Sequence, residues 1–258
     1  MENSNQDVNE LLIFMHIPKT GGTTLSHILK KQYQNAVCGG GSQNHTIKRL
    51  SNLSEKEAED TKCIWGHIPF GIHHYFSRPY SYITILRDPI ERVISMYYYL
   101  SNNPKIKWID DMSFKEFINH DGVKSKIENL QTRLLSWESQ VVDYERTEEN
   151  ITRFVLESKQ DVPNLRRAKK NLEQYFSIVG ITEMFNESIS LMKHELGWGN
   201  INYRNKNVNF NRPKQEQLSS RIVNIIKEKN ILDLKLYNYT KKRLKGKIDE
   251  LSLSKEEF

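Results

Sequence analysis

Three stretches of the 258-residue chain concentrate side chains that bind and move charge, beginning with Pro18-Lys19-Thr20-Gly21-Gly22-Thr23-Thr24. Glycines let a backbone close on an anion, while successive N–H groups and a helix dipole attract it. A lysine adds a mobile point charge and threonine hydroxyls add donors. The plain alternative is a glycine turn with an incidental lysine. A nucleoside-triphosphate loop is written G-x-x-x-x-G-K-[ST], with the lysine after the glycines, whereas here the lysine precedes them. The obvious magnesium carboxylate, Asp88, is wedged between Arg87 and Pro89, and a guanidinium is a poor companion for a metal ligand. The stretch therefore predicts an anion site and weighs against a kinase or NTPase, which stays as the alternative.

The second stretch is Arg87-Asp88-Pro89-Ile90-Glu91-Arg92-Val93-Ile94-Ser95. An arginine fork and a serine hydroxyl suit a phosphate monoester. At about 100° per residue, Ser95 lies roughly 130° from the middle of the Ile90/Val93/Ile94/Tyr97 stripe, pointing away from the core. The structural alternative pairs Arg87 with Asp88 or Glu91. Third comes Trp65-Gly66-His67, where His67 is a candidate base with a satisfied structural histidine as its alternative. His73-His74 are potential zinc ligands by type, but no Cys or carboxylate spacing completes a tetrahedral set, so no metal is expected. Asn129-Leu-Gln-Thr-Arg133 could lie near an acceptor or on a helix surface, and Tyr99 could line a cleft.

The elements that must position these residues are legible. Leu11-Leu-Ile-Phe-Met-His-Ile-Pro is an apolar run suited to a strand buried on both faces, and Leu25, Ile28, Leu29 and Tyr33 form a helix stripe behind the glycine turn. Ser81–Leu86 reads as a second strand, and Pro89 stands where a helix can start. Lys62–Trp65 and Phe176–Ile181 are further short strands, and a helix capped by Thr182 or Asn186 follows the latter. Ser54–Asp60 reads as a solvated helix. Strands alternating with helices imply an α/β fold, a P-loop-like mostly parallel sheet flanked by helices. Short helices interrupt this rhythm over an insertion of about 102–150, including the capping-box pattern at Ser113. The chain ends in helices over 218–244, although Leu232, Leu234 and Leu236 would also satisfy a strand, and the residues from Gly246 should fray.

One domain over 1–258, with a core of about 11–244, is the simpler division. The 37% hydrophobic content supports a sizeable core, and 38 basic against 32 acidic residues leave +6, favouring anionic partners. Collagen-like, disordered and disulfide-scaffold classes are excluded. Two cysteines, no leader pattern and no apolar run near 20 residues give a soluble, cytoplasmic expectation, without a transmembrane segment. No nucleic-acid motif occurs, so a noncatalytic binder of anionic glycans or nucleic acid would rest on charge alone.

His16-Ile-Pro-Lys-Thr-Gly-Gly-Thr-Thr24 resembles the 5′-phosphosulfate loop of sulfotransferases that use 3′-phosphoadenosine 5′-phosphosulfate (PAPS). Ile85 to Tyr99 is similar to their 3′-phosphate segment, most closely in the heparan sulfate 2-O-sulfotransferase branch, as are patches at 165–183 and 232–237. The resemblance implies transfer of a sulfuryl group from PAPS to a hydroxyl, with a glycan or glycoconjugate as acceptor. It implies that Lys19 contacts the phosphosulfate bridge, that Thr20, Gly21, Gly22, Thr23 and Thr24 cradle it, and that Arg87 and Ser95 hold the 3′-phosphate. It also implies that His67 is the base, with Trp65 where the branch has another histidine. A late loop offers Asn209, Arg212 and Lys214 as further donor contacts, with Arg212 the one selected.

Overall fold

The structure is a computed structural model that describes residues 10–38, 49–50, 52–68, 70–137, 146–147, 150–151, 162–203, 213 and 215–256. Its centre is a five-stranded sheet in which every pairing is parallel. The strands are β1 (Leu11–Met15), β2 (Ala36–Cys38), β3 (Cys63–Gly66) and β4 (Tyr80–Leu86). A two-residue antiparallel ladder follows, β5 (Arg146–Thr147) with β6 (Asn150–Ile151), and β7 (Phe176–Ile181) completes the main sheet in the order β2-β3-β1-β4-β7. Central β1 is buried at every position, as a continuous apolar run must be when helices cover both faces. The α/β expectation is met.

Helix α1 (Gly22–Gln32) buries Leu25, Ile28 and Leu29 behind the glycine turn, as the stripe predicts. Helix α2 (Glu55–Asp60) is held by a full Ser54/Glu57 capping box and buries nothing, which is the solvated helix expected. Helix α3 (Pro89–Ser101) starts on its proline and buries Ile90, Val93 and Ile94. The inserted region gives α4 (Phe114–Asn119), capped by Ser113, then α5 (Lys124–Ile127) and α6 (Leu130–Leu135). With α3 these build a second apolar cluster, including Ile109, Phe117, Val123 and Ile127, beside the main core. Helices α7 (Leu165–Tyr175) and α8 (Phe185–Glu195) flank β7. The chain continues through α9 (Ser220–Lys229) and α10 (Ile231–Glu256).

Three expectations need correction. Neither Thr182 nor Asn186 caps α8, whose N-cap Met184 makes no side-chain bond; the Thr182 hydroxyl instead reaches Thr20 O (2.8 Å) and Leu86 O (3.0 Å), tying the ends of three strands together. The helix expected up to residue 244 is present as α10 and prevails over the strand alternative at 232–236, but it runs on through Gly246 to Glu256 instead of fraying there. Edge strand β2 was not anticipated. Its three residues are too few to carry an alternating pattern.

Candidate active site

The loop after β1 is built from two left-handed backbone positions, Lys19 (φ 71) and Gly21 (φ 82). Such positions interrupt the run of amides and turn N–H groups inward, and only at Gly21 is the conformation without steric cost. A lysine held there against its preference is an observed departure of the kind that clusters at functional sites. Gly21 is also the N-cap of α1, and no side chain caps that helix nor does an acid occupy its first turn. With no side-chain cap and no acid there, the positive end of the helix dipole favours an anion at this turn, where Thr24 N donates to Gly21 O at 3.1 Å. The start of α3 differs: Asp88 Oδ1 accepts from both Ile90 N (2.9 Å) and Glu91 N (3.1 Å) and closes that end. A second anion in this region must be held by side chains.

The threonines divide. Thr20 was expected to offer its hydroxyl to the anion, but that group is fully buried and donates to Ile17 O at 2.9 Å, leaving its backbone as its contribution. Thr24 is buried as well, whereas Thr23 is exposed at the mouth of the turn.

Arg87, at the end of β4, leans toward this loop. Its Nη1 donates to Lys19 O (3.1 Å), Nη2 pairs with Glu91 Oε2 (3.5 Å), and Nε faces Glu183 Oε1 at 3.8 Å. The structural pairing considered for Arg87 is thus present, through Glu91 and Glu183 and not Asp88. The Lys19 and Arg87 turns adjoin, so one ligand can touch both. Glu91, Ser95 and Tyr99 follow at i, i+4 and i+8 on one face of α3. The Tyr99 ring carries Lys19 Nζ 4.1 Å from its centroid, which sets this face of α3, with Ser95 half-buried on it, beside the Lys19 loop.

His67 lies just beyond β3. Its Nδ1 is 2.7 Å from His16 O; a carbonyl only accepts, so Nδ1 carries the proton and Nε2 keeps its lone pair. The His16 ring stacks on His67 with centroids 4.4 Å apart. Burial, then the cations of His67 and Lys19, holds the His16 pKa down at about 3. His67 is also lowered, by burial first and by Lys19, against an upward pull from the bond to His16. Both imidazoles are neutral at physiological pH. Gly22 explains the arrangement, because a Cβ there would sit 2.0 Å from His16 Cδ2.

The sequence singles out Lys19, His67, Arg87 and Ser95, with Glu91 as a partner of Arg87, but not the other groups that hold them. In the sequence His16 stands only as part of a motif, and a Gly22 assigned to the anion cradle gives no sign that it also makes room for the His16 ring. Glu183 receives Asp88 N (3.2 Å) and the Tyr237 hydroxyl (3.1 Å), and burial raises its pKa despite Arg87. Glu91 Oε1 accepts from Gln215 N at 3.0 Å. Asn209, Arg212 and Lys214 lie outside the described residues. Within the Asn129–Arg133 segment Gln131 and Thr132 are fully buried, so the segment is not an exposed helix surface. His73 is packed among Phe70, Tyr80 and Tyr175 with Nδ1 3.0 Å from the Tyr82 hydroxyl. Among the described residues no group of three or more His, Cys, Asp or Glu could hold a metal, and no helix is long and apolar enough to cross a membrane.

Comparison with known proteins identifies the family. Residues 5–240 match the family described as "Sulfotransferase family". Human heparan-sulfate 6-O-sulfotransferase 3 is 25% identical over 280 residues, covering 90% of this chain and 57% of its own length. The Cricetulus griseus heparan-sulfate 6-O-sulfotransferase 1 is 26% identical over 288 residues, with 90% and 67% covered. Human heparan-sulfate 6-O-sulfotransferase 2 is 26% identical over 279 residues, with 90% and 44% covered. The chain thus spans little more than half the length of the first of these, and all three are 6-O enzymes by name, not the 2-O branch its motifs resembled. A match of that extent, on a sheet whose first loop and fourth strand meet at Lys19 and Arg87, settles the kinship: the chain belongs to the sulfotransferase family.

Proposed function

We propose that this protein transfers a sulfuryl group from PAPS to a hydroxyl of a saccharide or glycoconjugate, with His67 as general base. The observation that carries the proposal is the His67 Nδ1 bond to His16 O, which leaves a neutral imidazole with its Nε2 lone pair beside the Lys19 loop. The named substrates of the heparan-sulfate relatives favour a glycan acceptor.

The residues present fit the donor. The uncapped start of α1 and its left-handed Gly21 form a cradle for the 5′ anion, with Lys19 as the charge beside it. Arg87 and Ser95 would hold the 3′-phosphate, with the Arg87 fork exchanging its long 3.5 Å contact to Glu91 for a phosphate oxygen. PAPS supplies the activated sulfur. His67 Nε2 takes the acceptor hydroxyl proton as that oxygen attacks in line, and Lys19 offsets charge on the departing phosphate oxygen. A sulfuryl group carries less charge than a phosphoryl group, so fixed cations and backbone donors replace magnesium in this scheme.

The test is incubation of the purified protein with labelled PAPS, a panel of hydroxylated saccharides and a chelator. Label transfer that disappears in His67→Ala while 3′-phosphoadenosine 5′-phosphate still binds is expected. Transfer that requires magnesium, or that survives in His67→Ala at the wild-type rate, would refute the scheme.

A further inference from the structure

The main chain of Arg87 is gripped by a residue that the family comparison does not single out. Gln131, fully buried on the first turn of α6, accepts from Arg87 N through Oε1 at 2.9 Å and donates to Arg87 O through Nε2 at 2.9 Å. It treats this residue as a neighbouring strand would, directly after β4 makes its last pairing, Leu86 with Ile181. The main chain at Gln131 is anchored in turn. Gln131 N and Thr132 N donate to Asp233 Oδ2 (3.1 Å) and Oδ1 (2.7 Å), and Asp233 is itself fully buried in the first turn of α10. Asn129, left-handed at φ 42, accepts from Leu232 N (2.9 Å) and Asp233 N (3.1 Å), and its own N–H donates to Asn230 Oδ1 (3.0 Å). The inserted region and the C-terminal helix are thereby locked together, and Gln131 projects from that lock onto the turn after β4.

Arg87 is thus held from two sides. Gln131 fixes its backbone, and its guanidinium crosses to Lys19 O on the other side. We infer that Gln131 is a positioning residue for donor binding, setting the Arg87 main chain so that the fork stands beside the Lys19 loop. This rests on the proposed role of Arg87 toward the 3′-phosphate. Gln is suited to the task because one planar group both donates and accepts. An ionised Glu keeps the acceptor and loses the donor, while Met keeps the length and loses both. Neither touches the reacting atoms, so the effect belongs in donor affinity and not in turnover of the loaded enzyme.

The experiment measures binding of 3′-phosphoadenosine 5′-phosphate by calorimetry, and donor KM and kcat, in the full chain and in Gln131→Met and Gln131→Glu. The expected result is a tenfold or greater loss of affinity in Gln131→Met, equivalent to about 1.4 kcal/mol, and a loss in Gln131→Glu as well, with kcat at saturating donor within threefold of wild type. Ser188→Ala, which removes a buried hydroxyl bonded to Ile181 N at 2.9 Å, serves as a destabilised control and should keep wild-type affinity. Should Gln131→Met fail to fold, the milder Gln131→Glu carries the test. Wild-type affinity in a folded Gln131 variant, or equal loss in Ser188→Ala, overturns this inference alone. A wild-type protein that binds no adenosine bisphosphate overturns the functional reading and this inference with it.

Discussion

Replacing Gly22 by alanine probes how the imidazole pair is kept in place. The new Cβ would lie 2.0 Å from His16 Cδ2 and 2.2 Å from Nε2, where carbon atoms ordinarily approach to about 3.5 Å. The ring must retreat by roughly 1.5 Å and disturb its stacking on Phe14 (5.5 Å) and His67 (4.4 Å). Overpacking costs about 1–3 kcal/mol and an off-rotamer ring about 0.5–1.5 kcal/mol. Helix propensity alone has the opposite sign, since Ala in place of a helical Gly stabilises by about 0.5–1 kcal/mol. The net expectation is a destabilisation of about 0.5–4 kcal/mol. For a chain of this size that is a fall in Tm of roughly 1–16 °C. Because the His16 carbonyl fixes His67 Nδ1, turnover should fall more steeply, by up to about a hundredfold for a displacement near 1 Å. Thermal denaturation and initial rates with labelled donor measure both effects. A double-mutant cycle isolates the cause: with His16→Ala in the background the space is open, and the stability penalty of Gly22→Ala should vanish or reverse. A Gly22→Ala protein as stable and as fast as wild type, or an undiminished penalty without the His16 ring, would refute the packing argument.

Lys19→Met should lower kcat by about 10²–10³, the loss typical of removing one charge-stabilising donor, while circular dichroism stays native. Unchanged turnover removes its role. In the pH profile of kcat/KM for the donor, the base works only unprotonated, and the His67 pKa is lowered by burial. The acid limb should therefore have its midpoint below the ordinary histidine value of about 6.5, and a midpoint above it contradicts the assignment. The same sign governs stability. His16, His67 and His73 are depressed in the folded state, so their contribution is complete above about pH 6.5 and is lost as pH falls, for His16 down to about 3. Urea midpoints at pH 7.5 and 5 should differ in that direction. Asp233→Ala orphans two buried amides and removes the acid near fully buried Arg92; a loss of about 3–5 kcal/mol is expected in urea unfolding.

Strands β1, β3, β4 and β7, the first two helices behind strand ends, and the Lys19 and Arg87 turns are legible because each is written locally, in an apolar run, a glycine pair or a proline at a helix start. The partners of those turns are not. Gln131 lies 44 residues from Arg87, and Asp233 lies 102 residues from Gln131; no periodicity reports such pairings. Asn129, 103 residues away, accepts from Leu232 N at the start of α10, so the helix over 231–256 has its N-terminal partner far from its own sequence and no local pattern marks it. Thr20 shows the converse limit. A hydroxyl in a binding motif is a donor by type, and only the fold reveals that it has been turned to Ile17.

Cys63 sits on β3 between β1 and β2, has no solvent exposure, and burial pushes its thiol well above the ordinary range. A thiolate-seeking reagent can reach it only when those strands part. With Cys38 changed to serine, the rate of Cys63 alkylation in native buffer becomes a clock for sheet opening, and its slowing on addition of adenosine bisphosphate would report ligand-induced tightening without any assay of catalysis.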